Sequence, residues 1–108
     1  LMAFYAEDAA LVVKPGMVAR GIPAIRRAFT AISDYFDGQL EVTQGAMEVI
    51  EGADNALVIM ETRLRYPDGE GWIDENRRAT YVFRKEADGE WRCTIDNSYG
   101  TALLVAVP

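Results

Sequence analysis

The chain has 108 residues and a mass of 12.0 kDa, which reads as a single domain over residues 1–108 with no room for two. Half of it is apolar and 26% charged, so it can bury a core; no apolar run approaches the ~18–20 residues of a membrane span, and the opening residues carry no signal-peptide pattern. Eleven basic against seventeen acidic residues give a net charge of −6, a field that repels polyanions and argues against a nucleic-acid partner.

Histidine is absent, which removes the commonest general base and the favourite zinc ligand together. The single cysteine, Cys93, can make no internal disulfide, so a cytoplasmic protein is expected. In chain order, Leu1–Ala6 reads as the end of a helix, with Met2 and Tyr5 three apart. The expectation is a first helix that is truncated or continues upstream. Leu11–Val13 is a short apolar strand, and Pro15-Gly16 turns the chain toward Met17-Val18.

Gly21 and Pro23 open a helix, since proline costs nothing where its N–H would be unpaired. Ile22, Ile25, Phe29, Ile32 and Phe36 recur at three- and four-residue steps on one face, and Asp37-Gly38 ends it. Strands follow. In Leu40–Glu51 the apolar parity switches from Leu40 and Val42 to Met47 and Val49, with Gly45 between, as a β-bulge requires. Turns at 52–55, 67–71 and 87–90 separate the strands Ala56–Tyr66, Trp72–Glu86 and Trp91–Tyr99. The expected architecture is α+β: a curved antiparallel sheet of about four long strands plus a short hairpin, with helices on one face.

Tyr5-Ala6-Glu7-Asp8-Ala9, then Pro15-Gly16 and Gly21 with Ile25, resembles the opening of SnoaL-like and ketosteroid-isomerase-like proteins of the nuclear transport factor 2-like superfamily. Arg78–Lys85, Asp88–Arg92 and Asp96-Asn97-Ser98 resemble that family's last hairpin. The resemblance implies a cone-shaped sheet wrapped round helices, an internal pocket, and a homodimer across the outer sheet face. The last strand has Ile95 and Asn97 where many relatives carry histidines, so histidine-dependent chemistry does not carry over.

Strand alternation places Trp91, Cys93, Ile95, Asn97 and Tyr99 on one face of the last strand, the more apolar one and therefore the expected inside. Ala79, Tyr81 and Phe83 face inward from the preceding strand, with Glu75 and Arg77 nearer the mouth. Met60, Thr62, Leu64 and Tyr66 do so from Ala56–Tyr66. Ketosteroid isomerase combines an Asp base with Tyr and protonated Asp donors; this inside offers donors and no obvious base.

Asp8 is the remaining carboxylate, close to Tyr5, and the catalytic candidates are Asp8 and Tyr81. Asp8 equally suits a backbone-capping role, and Tyr81 a core aromatic. Tyr5, Tyr66, Arg77, Asn97 and Tyr99 are the candidate ligand contacts; Asn97 equally suits a buried amide that satisfies the backbone. Asn97→Leu is accordingly expected to fold and to bind ligand less well. No metal site or cofactor motif is found.

Two functions remain open, and the missing histidines and sparse inward carboxylates favour the first over the second. One is a binding domain that shelters a small apolar molecule in an internal apolar pocket. The other is an isomerase, cyclase or dehydratase acting on a small apolar carbonyl compound through a carboxylate base. Leu57 and Ile59, beside Glu61, Arg63 and Arg65, form a mixed outer face that suits a homodimer.

Overall fold

A computed structural model describes residues 2–104. The chain opens on a single 3₁₀ turn, Met2–Phe4, and runs directly into strand β1, Tyr5–Lys14. The expected helix end at Leu1–Ala6 is thus replaced by that turn and a strand, Leu1 itself lying outside the described residues. The reason is burial: Tyr5, Ala6, Ala9 and Leu11 join Ile25 and Cys93 in the core, and one apolar pair three apart is too little to sustain a helix.

Strand β2, Met17–Arg20, hairpins onto β1. Helix α1, Ile22–Tyr35, begins after Gly21, whose φ of 83° lies in the region that favours glycine, with Pro23 in its first turn. Its apolar stripe lies where the spacing puts it: Ile25 is fully buried, and Ile22, Ala28 and Phe29 pack on the same core. Arg26, Arg27 and Asp34 are exposed.

Strands β3 (Glu41–Glu51), β4 (Asn55–Asp68), β5 (Gly71–Lys85) and β6 (Trp91–Asn97) complete one six-stranded sheet in the order β2-β1-β6-β5-β4-β3. The sheet is mixed rather than wholly antiparallel, because β1 lies parallel to β6. A second 3₁₀ turn, Gly100–Leu103, follows β6. The whole is an α+β fold with one curved sheet and one main helix, which covers the β1–β2 end. Every residue of the edge strand β3 is exposed. Among the described residues no helix is long and apolar enough to cross a membrane.

Two irregularities set which side chains face inward. The shift expected near Gly45 is present, between Gln44 and Met47. A second lies in β6: Val82 pairs with Ile95 and Phe83 with Cys93, so Thr94 is an extra residue between two consecutive positions of β5. Such a bulge reverses the alternation beyond it. Cys93 is fully buried, Ile95 is 44% exposed, and Asp96 is 8% exposed. The inward set read from the sequence is corrected at these positions. Ile95 and Asn97 leave it, and Asp96 enters.

Candidate functional site

The inner cluster is built from three strands. Asp96, turned inward by the β6 bulge, stands opposite Tyr81 of β5 in the ladder, and Tyr81 stands opposite Val58 of β4. Tyr5, the first residue of β1, donates its phenolic proton to Asp96 Oδ2 at 2.5 Å. A carboxylate is thereby held among two phenols, the Cys93 thiol and apolar side chains.

Burial raises the Asp96 pKa above the ordinary carboxylate value, with the Tyr5 hydrogen bond opposing part of that rise. Burial also pushes Tyr5 upward, and its hydrogen bond to Asp96 adds to the effect. Tyr81 rises through burial and the nearby Asp96 charge, partly offset by the Thr62 hydroxyl. Cys93 is pushed up to about 12, first by burial and then by Asp96, so its thiol stays protonated and unreactive at neutral pH.

Asp8 lies elsewhere. Its carboxylate is exposed and accepts two hydrogen bonds from Arg84, at 2.9 and 3.3 Å. That contact holds its pKa below the usual value. Arg84 also binds Glu86, and Arg92 bridges Glu86 to Asp88, giving one surface chain of alternating charges. A carboxylate so engaged is a weak base, pinned outside the cluster that Tyr5 and Tyr81 join.

Asn97 faces away from the cluster and organises the exit of β6. Its Nδ2 donates to Thr80 Oγ1 and to the Gly100 carbonyl, each at 3.2 Å. Its Oδ1 accepts the backbone N–H groups of Tyr99 and Gly100. The turn is tight: Gly100 has φ 57°, and a Cβ there would lie 1.9 Å from the Arg78 carbonyl oxygen. Tyr66 packs its ring on Phe36 at the end of α1, 4.9 Å between centroids, away from Asp96.

Arg77 and Tyr99 do come together. The guanidinium lies 4.2 Å from the Tyr99 ring centroid and donates to Glu75 and to Ser98 Oγ. The Tyr99 hydroxyl in turn donates to the Val13 carbonyl. Thr62, opposite Arg77 in the β4–β5 ladder, shares with it a cavity of about 750 Å³ that Gln44, Glu75 and Tyr99 also line.

Tyr5 and Tyr81, both named from the sequence, thus lie beside Asp96, a residue that strand alternation had not put on the inner face. The bulge carries no glycine to announce it. The available signal was the Asp96-Asn97-Ser98 match to the last hairpin of the resembling family. Among the described residues, no three acidic or cysteine side chains converge as metal ligands.

The fold has many solved counterparts. An NTF2-like protein with a cystatin-like fold from Novosphingobium aromaticivorans matches 98% of this chain and 75% of its own length, at 17% identity and a TM-score of 0.75. The fold is that of the nuclear transport factor 2-like proteins. A Shewanella frigidimarina protein provisionally named a ketosteroid isomerase is 19% identical over 87% of this chain and 74% of its own, with a TM-score of 0.72. A Streptomyces avermitilis protein provisionally named a dehydratase of the NTF2-like family is 20% identical, covering 90% and 78%, with a TM-score of 0.70. No sequence-family model and no curated protein sequence matches the chain. These likenesses establish the NTF2-like architecture, and any chemistry has to be argued from the residues.

Proposed function

We propose that the concave face of the sheet binds a small apolar carbonyl compound and that Asp96 moves a proton on it. The observation that carries this reading is the buried Asp96 carboxylate with a phenolic hydroxyl at 2.5 Å. Ionised Asp96 takes a proton from the carbon next to the carbonyl, becoming the neutral acid. The electron pair moves onto the carbonyl oxygen, which accepts a hydrogen bond from Tyr81. Returning the proton to another carbon completes an isomerisation, and delivering it to a departing hydroxyl completes a dehydration. A carboxylate with a raised pKa is the better base for this work. The provisional names of two similar structures, a ketosteroid isomerase and a dehydratase, lie in the same reaction class.

A second reading has its own observation. The one phenolic proton of Tyr5 is already given to Asp96, so that pair is satisfied without a substrate, as in a binding domain that turns nothing over. Exchange separates the two readings. In D₂O a protein with a working Asp96 exchanges the α-hydrogens of a bound enone such as 2-cyclohexenone, as read by NMR, and Asp96→Asn abolishes the exchange. Binding without exchange would leave the binding domain alone.

The same reading includes a homodimer through the convex face. Ile50 pairs with Leu57, Leu57 with Val82, and Val82 with Ile95, an apolar row across four strands in which Ile50, Leu57 and Ile95 are exposed. Sedimentation is expected to report twice the 12.0 kDa of one chain, and Leu57→Glu to halve it. A cytoplasmic location belongs to the same proposal, on the strength of the unpaired Cys93 thiol.

A further inference from the structure

The Thr62 hydroxyl is buried, the residue being 5% exposed, and it makes no hydrogen bond of good geometry. Buried hydroxyls are nearly always paired; the Tyr81 hydroxyl lies near this one without forming a well-aligned bond, so a cavity-lining hydroxyl left in that state calls for an explanation. Beside it, Arg77 holds its side chain 81% buried and fixed from three sides by Glu75, Ser98 and the Tyr99 ring. A guanidinium carries five N–H donors. Here Nε and one hydrogen of Nη1 are used, and Nη2 makes no hydrogen bond among the described residues.

The wall between β4 and β5 thus offers several donors from a guanidinium and a hydroxyl that can also donate. Such a set recognises a group that only accepts. On the Thr62 face Glu75 balances the charge of Arg77, so what the cavity offers an anion is directed N–H and O–H donors. Glu75 holds the guanidinium in place, and its own carboxylate leaves the Nη2 side open.

We infer that this cavity is a carboxylate subsite: Thr62 and Arg77 bind the acid group of a small carboxylic acid. The inference rests on the reading that the concave face takes a small molecule, and it narrows that molecule to an acid. Arg77 and Tyr81 lie on the same face of β5, four residues apart, which at the rise of an extended strand is about 13 Å. The acid group and the reacting carbon of such a ligand therefore belong at different ends of it.

The test compares 2-naphthoate with its methyl ester by calorimetry. The free acid is expected to bind at least tenfold more tightly to the unaltered protein. Arg77→Met should remove that preference and leave the ester affinity in place. Thr62→Val, which deletes only the hydroxyl, should weaken 2-naphthoate about tenfold with a melting temperature equal to or above that of the parent. It carries the test alone should Arg77→Met fail to fold.

Equal affinity for acid and ester would overturn the carboxylate subsite and leave the small-molecule reading standing. Failure of both probes to bind would count against that reading as well. A Thr62→Val protein that melts lower and binds the acid unchanged would show the hydroxyl to be structural and sink the inference.

Discussion

Asp8 and Asp96 sit on strands β1 and β6, neighbours in the sheet, yet they occupy opposite electrostatic regimes. At the rim, Asp8, Asp88 and Glu86 meet Arg84 and Arg92 in a solvated chain of ion pairs, and the pKa values of Asp8 and Asp88 are held down by their arginines. Inside, Asp96 pairs with no cation among the described residues, has two phenols for neighbours, and carries a pKa raised by burial. The rim arrangement favours the charged form and makes the carboxylate inert. The inner one disfavours it, at a cost in stability, which is the setting the proposed proton transfer needs. One extra residue, Thr94, decides which side of the sheet Asp96 falls on.

The contrast can be broken at several points. The largest effect is expected in turnover. Asp96→Asn keeps an acceptor for Tyr5 but no proton-moving group, and should cut any enone isomerisation or exchange by about 10²–10⁴-fold. Asp8→Asn should leave it within a factor of about two of the parent, as measured by the same exchange rate.

Next comes the residue beside the inner aspartate. Asn97→Leu removes four hydrogen bonds and leaves the turn at Tyr99-Gly100 without its acceptor. A loss of about 2–3 kcal/mol is expected, seen as a fall of roughly 10 °C in a thermal melt. This reverses the tolerance that the sequence alone suggested for the same substitution. A melt within a degree or two of the parent would show that these bonds carry little.

The inner site should also reveal its strain. A carboxylate whose folded pKa is raised destabilises the fold once pH rises through that value and has no such effect below the ordinary carboxylate range. Asp96→Asn should therefore be more stable than the parent by roughly 1 kcal/mol near neutral pH, with the gain vanishing toward pH ~4. Urea melts across that range measure it.

The rim should show the opposite sign and the smallest effect. The contributions of Asp8 and Asp88 are present above the ordinary carboxylate range and are lost on acidification. Arg84→Met should lower the melting temperature slightly at low salt and negligibly at high salt.

Much of this was legible in the sequence. The helix with Ile25 on its buried side, the bulge near Gly45 and, of the inward set Met60, Thr62, Leu64 and Tyr66, the buried Thr62 and Leu64 follow from period and parity, because long, strongly patterned segments report their own burial. The opening strand was not legible, since Tyr5–Ala9 becomes extended only through pairing with β6 and packing on α1, contacts made far along the chain. Asp96 was hidden for a different reason. Alternation reads a strand as regular unless a glycine or a parity switch marks the irregularity, and Cys93-Thr94-Ile95 contains neither. The same slip moved Ile95 from the expected inside to the outer apolar row.

The central claim is that Asp96 is the inward, proton-moving carboxylate and Asp8 a surface ion-pair partner. A ¹³C-carboxyl NMR titration that resolves both side chains tests it directly. Asp96 is expected to titrate above the ordinary aspartate value and Asp8 below it. Asp96 titrating at or below Asp8 would contradict the account.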